Sequence, residues 1–199
     1  MFREWSGADF PKQNGDLFRV HSLRGMLNEL KGKMLELIVY RELNRCRKER
    51  QPVLDFRQRL RPVLNLQQAD HLEKLLVLCS ASRFETTWMN HYVQLPGTTA
   101  EEIDVLAEGS DADSCWALVF EVKNRAEENL PSMKEAQLFV AKVSKLKQIM
   151  SQTGKAIKFV CPVYLSSEGF DCKVETWLHG QGILTTDMAH WEIASESMC

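Results

Sequence analysis

The sequence predicts an α/β fold, a mixed sheet of four to five strands flanked by helices, and three observations carry that prediction. Three runs rich in strand formers, Thr86–Leu95, Ile103–Ala107 and Trp116–Lys123, follow one another across turn-forming segments, as in an antiparallel meander. A helix with a clear start signal comes next, from Ser132 to about Gln152. A nearly continuous apolar run, Phe159–Leu165, then reads as a central or parallel strand, so that strand, crossover helix and return strand form a right-handed unit.

Taken in order, residues 1–22 show no clear period and read as an N-terminal arm, packed on the core or on a partner protein. The remainder, 23–199, reads as one domain with a helical insertion around 47–83. From Leu23 to Asn44, Leu27, Leu30, Met34, Leu37, Ile38, Tyr40 and Leu43 recur at three- and four-residue steps, the mark of an amphipathic helix. Gly32 marks a break between two helices or a point of close packing. Glu36 lies beside this apolar face. Arg41 to Arg61 is basic. It reads as a solvated connector, with a phosphate-tracking patch as the alternative. Gln67–Ser82 is an amphipathic helix with Leu72, Leu75, Leu76 and Cys79 on one face.

Pro96-Gly97 marks a turn after the first strand. The segment Glu108–Ser114 collects turn formers and makes the next two strands a β-hairpin. Ser132 and Glu135 form a capping-box pattern, and Gly154 ends the helix. The other positions of that helix carry Lys134, Lys142, Lys145 and Lys147, and Gln137 sits in its second turn, placed to face the end of the preceding strand. After Leu165, Ser166-Ser167-Glu168-Gly169 reads as the start of a helix to about Gly180, and Gly182–Thr186 as a short last strand.

Composition bounds the class. The chain has 199 residues, 44% hydrophobic and 26% charged, as expected of a soluble globular domain. A net charge of −2 gives no global basic field, so nucleic-acid binding has to be local. The six cysteines form no C-x-x-C pair and sit away from the histidines, which suggests reduced thiols in a cytoplasmic protein rather than a zinc site. No run of about 18 apolar residues exists, so no membrane span is expected.

The hairpin carries the chemistry. Side chains alternate along a strand, so Trp116, Leu118, Phe120 and Val122 share one face, while Glu121 and Lys123 share the other. In the preceding strand Ile103, Val105 and Ala107 face one way and Asp104 the other. An acid ending one strand and an acid and a lysine ending its neighbour converge on one point. The structural reading of such a set is a solvated sheet face with a cross-strand ion pair. The chemical reading is a divalent-metal and water-activating site.

Asp104 with Glu121-Val122-Lys123, on these elements and in this order, resembles the PD-(D/E)xK nuclease superfamily, with its restriction-endonuclease-like three-layer core. Glu36 and Gln137 are weaker matches. The surrounding Ile-Asp-Val and Phe-Glu-Val-Lys are also similar to nuclease-like domains found beside certain prokaryotic P-loop ATPases, although no ATPase motif is present. The resemblance covers about Lys31 to Thr186, and Ile103 stands where a proline often precedes the aspartate. It implies a metal-dependent nuclease acting most often on DNA, with RNA and junctions in the range. Asp104, Glu121 and the Val122 carbonyl would hold Mg²⁺ or Mn²⁺. Lys123 would position water or stabilise the transition state, and Glu36 would add a ligand. A protein partner through the arm and a homodimer are the further assembly expectations. The competing expectation is a silent module of the same fold that binds nucleic acid or protein.

Overall fold

Alternating side chains along one strand divide the core into two halves, one on each face of a single sheet. The computed structural model describes residues 14–50, 66–124 and 129–187. Their elements are α1 (Asn14–Lys48), α2 (Leu66–Ala81), β1 (Thr86–Val93), β2 (Glu101–Ser110), β3 (Ser114–Lys123), α3 (Met133–Ser151), β4 (Ala156–Ser166), α4 (Cys172–Gly180) and β5 (Leu184–Thr186). The five-stranded sheet has the order β1-β2-β3-β4-β5. Strands β1 to β3 form the antiparallel meander, and β4 and β5 join in parallel. The chain is therefore α/β with a mixed sheet flanked by helices. None of the described helices is long and apolar enough to cross a membrane.

On one face Trp116, Leu118, Phe120 and Val122 pack with Val105 and Ala107 against Leu35, Val39 and Leu43 of α1 and Leu72 and Leu76 of α2. On the other, Ala117 and Val119 meet Phe139, Val143 and Leu146 of α3 and Leu178 of α4. Burial of each large aliphatic or aromatic side chain contributes roughly 1.5–3 kcal/mol. Cys161 lies in the first half of the core and Cys115 in the second. Both are free thiols and act there as small apolar side chains.

Helix α3 starts as its capping box predicts. The Ser132 hydroxyl accepts the Glu135 N–H, and the Glu135 carboxylate accepts the Ser132 N–H at 2.9 Å. The hairpin turn is tighter than the sequence suggests, because β2 runs on to Ser110 and β3 begins at Ser114. Asp111 makes this possible by accepting from the Asp113 and Ser114 N–H groups at 3.0 and 2.7 Å. Just before the turn, the Trp116 indole lies over Gly109 and donates to the Arg83 carbonyl at 2.8 Å. A Cβ at position 109 would collide with both groups.

Three expectations are corrected. Helix α1 is a single 35-residue helix with no break at Gly32, and it begins at Asn14, inside the stretch read as an arm. Of the two expectations for Gly32, close packing is the one that fits, since the Asn124 side chain approaches it. The stripe Leu27, Leu30, Met34 and Leu37 is the exposed face of α1, half or more of each residue being accessible. The helix packs on the sheet through the neighbouring stripe of Leu35, Val39 and Leu43. The last helix starts at Cys172, not at Ser166, since β4 extends through Ser166 and Gly169 takes a left-handed turn (φ 84°). Asp171 then caps it by accepting the Lys173 N–H at 2.9 Å. Of the predicted insertion, α2 is described, while residues 51–65, with Arg57, Arg59 and Arg61, lie outside the described residues, as do residues 1–13 of the arm.

Candidate active site

The site begins as a fault in the sheet. The β1–β2 ladder pairs Met89 with Val105 and His91 with Ile103 and leaves out Asn90 and Asp104 between them. Asn90 has a φ of 53°, in the left-handed region that asparagine tolerates better than most side chains. On the other side, the β2–β3 ladder ends with Val105 and Phe120. Asp104 thus belongs to neither ladder. Its Oδ2 accepts the Val122 N–H at 2.7 Å. The fault also breaks alternation. Ile103 packs with Leu106 in the α3–α4 half of the core, not with Val105 and Ala107 as the strand pattern predicts.

Glu121 and Lys123 project on the α3 side of β3, opposite Phe120 and Val122. Lys123 Nζ lies 2.6 Å from Glu121 Oε1 and 3.9 Å from Asp104 Oδ2. The three residues singled out by the hairpin pattern are therefore together. Asp104 is 8% exposed and Glu121 4%. A fourth residue completes the group. Lys142, from the third turn of α3, reaches across the layer and donates to Glu121 Oε2 at 2.8 Å. Its neighbour Lys145 ties α3 to the start of β2 through the Thr99 carbonyl at 2.8 Å and Glu101 at 3.2 Å.

Charge and burial oppose each other here. Burial pushes the Asp104 carboxyl up, the Glu121 charge pushes it further, and Lys123, the Val122 N–H and Lys142 pull it back. The balance leaves it at about 6. An aspartate that ordinarily ionises far below neutrality is thereby brought within reach of physiological titration.

Glu36 lies beside this pair, in a polar group whose Lys33 also feels the Asp104 charge. It is buried, but on α1, across the sheet from Glu121, and its carboxylate takes Lys33 at 2.9 and 3.1 Å. Lys33, whose pKa this hydrogen bond raises, lies 4.0 Å from Glu102. With its amide set to donate, Asn90 places its nitrogen 3.1 Å from both Glu36 and Glu102. Glu36 therefore joins a second polar group at the sheet fault, next to the Asp104 fork. Gln137 is exposed on α3 and takes no part in the hydrogen bonds of either group. Lys142, one and a half turns further along, occupies the place expected of it. Nothing in the sequence singles out Lys142, because a row of lysines on a helix is the ordinary signature of a solvated face.

The donor set suits a hard divalent cation. Two buried carboxylates of adjacent strands repel each other, and a cation between them would relieve both that repulsion and the desolvation of Asp104. Among the described residues no group of three or more histidine, cysteine, aspartate or glutamate side chains is placed to hold an ion. Magnesium tolerates so sparse a set, because it retains waters and completes its shell with substrate phosphate.

No family model matches the chain, and no curated protein matches it. A solved structure, that of AF1548, a protein of unknown function, shares 20% identity over 61% of this chain and 57% of its own, with a TM-score of 0.37. The chain thus spans little more than half of that protein's length, and at this level the likeness carries no argument about fold or chemistry.

Proposed function

We propose that the chain is a metal-dependent nuclease of the PD-(D/E)xK type, with a restriction-endonuclease-like core, acting on nucleic acid and on DNA before RNA. The observation that supports this reading is the meeting of Asp104, Glu121 and Lys123 at the mouth of a splayed β2–β3 pair. Asp104, Glu121 and the Val122 carbonyl would hold Mg²⁺ or Mn²⁺. The bound ion would lower the pKa of its water and offset charge developing on the phosphate. Lys123, which contacts both acids, would orient the attacking water and stabilise negative charge on the phosphate oxygens. The fork and the α3 layer exclude bulk water from Glu121, which strengthens each of these interactions. The free thiols suit a reducing cytoplasm.

A second reading, a silent module that binds nucleic acid or protein, has one specific observation in its favour. Both Glu121 oxygens are engaged by lysines. Titration calorimetry separates the two. The nuclease reading expects Mn²⁺ to bind the wild type and to lose that binding in Asp104→Ala and Glu121→Ala. Binding that survives both substitutions would exclude this pair as the metal site.

A further inference from the structure

Glu121 is held by two cations from two different elements. Lys123 Nζ contacts Oε1 at 2.6 Å from the same strand, and Lys142 Nζ contacts Oε2 at 2.8 Å from α3. On Asp104, Oδ2 is taken by the Val122 N–H. Three of the four carboxylate oxygens of the pair thus have a donor. A cation that bridges both acids needs an oxygen of Glu121, and each of the two is already given to an ammonium group.

The two lysines are not equivalent in this respect. Lys123 also lies near Asp104, so it can remain beside the acids while one Glu121 oxygen is released. Lys142 makes its direct contact with Glu121 alone and acts on Asp104 only through its charge, and that contact spans the gap between helix and sheet. The helix itself is fixed by Ala136, Phe139, Val143 and Leu146 in the core. The lysine stem has four rotatable carbons. Its ammonium can therefore leave Glu121 without any shift of α3.

We propose that Lys142 is a built-in placeholder cation, and that a divalent metal ion must displace its ammonium from Glu121 Oε2 to enter the site. This rests on the metal-site reading given above and adds its regulation. The lysine keeps a buried carboxylate neutralised while no metal is bound, and it sets the metal affinity lower than two adjacent carboxylates would otherwise give. The competing ammonium raises the apparent dissociation constant of the metal, so the site is mostly empty at metal concentrations below that value.

The test is Mn²⁺ binding to the full chain, followed by the loss of free-ion electron paramagnetic resonance signal, with no nucleic acid present. Four variants are compared with the wild type: Lys142→Gln, Lys142→Met, Lys145→Gln and Glu121→Gln. Thermal melts confirm that each is folded, and the two Lys142 variants guard against the failure of either. The proposal expects both Lys142 variants to bind Mn²⁺ about tenfold more tightly, or better, the scale on which groups next to a metal ligand tune affinity. Lys145→Gln, whose lysine serves Thr99 and Glu101, keeps the wild-type affinity, and Glu121→Gln loses it. If Lys142 variants bind no more tightly than the wild type while Glu121→Gln still loses the ion, the placeholder is overturned and the metal site stands. If no form binds, the placeholder is overturned, since removing Lys142 has not opened the site, whereas a site completed by substrate phosphate is untouched. If Glu121→Gln binds as the wild type does, the placeholder and the metal site fall together.

Discussion

The Asp104 carboxylate accepts the main-chain N–H of Val122 at 2.7 Å, just beyond Val105–Phe120, the last rung that joins β2 to β3. A side chain has replaced a strand as the partner of that N–H. The bond fixes Asp104 against the strand that carries Glu121 and Lys123, and it lets the two strands part while leaving no buried N–H without an acceptor. The candidate site exists because of this substitution.

Asp104 is predicted to weaken the fold at neutral pH. Its carboxyl sits at about 6 in the folded chain against 3.8 ordinarily. Between these values the folded state binds the proton and the unfolded state does not, so stability is greatest below pH 4 from this group and is lost as pH rises through 6. Asp104→Asn keeps an acceptor for Val122 and removes the charge. It should raise the stability at pH 8 by up to about 3 kcal/mol, a gain that shrinks as pH falls below 6. Urea unfolding of both forms across pH 4.5–8 measures it. A gain independent of pH would show that burial of the charge is not its cause.

Much of this was legible in the sequence, for definite reasons. The meander, the α3 cap and the return strand β4 follow from local signals that the tertiary structure leaves intact. Glu121 and Lys123 share a face as strand alternation predicts, whereas Asp104 joins them through a fault that breaks that alternation. What was not legible depends on packing between elements. Two apolar stripes run along α1, and the sequence does not say that Leu35, Val39 and Leu43 face the sheet while Leu27, Leu30 and Met34 face outward. The turn of Ile103 onto the other face occurs opposite the left-handed backbone of Asn90, a residue on a different strand. Lys142 takes its role only from the docking of α3 beside Glu121.

Glu36 and Gln137 are predicted to be dispensable for metal binding. Glu36 is engaged by Lys33 of its own helix, and Gln137 is exposed. Glu36→Gln and Gln137→Ala should bind Mn²⁺ as the wild type does in calorimetry. A loss in Glu36→Gln equal to that in Glu121→Ala would make α1 a third arm of the metal site.

Gly109→Ala should destabilise the chain by about 1–3 kcal/mol, the cost of overpacking a filled site. The added methyl meets the Trp116 ring and the Arg83 carbonyl, and so also strains the hydrogen bond between them. Denaturant unfolding followed by tryptophan fluorescence reports the loss. An unchanged midpoint would mean that the indole has room to move.

Ser132→Ala should cost about 0.5–2 kcal/mol, since it removes the acceptor for the Glu135 N–H. Because α3 carries Lys142, hydrogen exchange at the start of α3 should speed up while exchange in β3 stays slow. Uniform acceleration in both elements would show that the cap supports the whole domain and not the helix end alone.

The most direct measurement is cleavage of labelled single-stranded DNA, duplex DNA and RNA by the full chain with Mg²⁺, with Mn²⁺ and with chelator. The wild type is run beside Lys123→Ala. The account predicts cleavage of at least one DNA substrate by the wild type, none with chelator, and a rate at least about a hundredfold lower in Lys123→Ala, the scale expected when a donor to a developing negative charge is removed. Cleavage that persists in chelator, or that Lys123→Ala leaves unchanged, would contradict it.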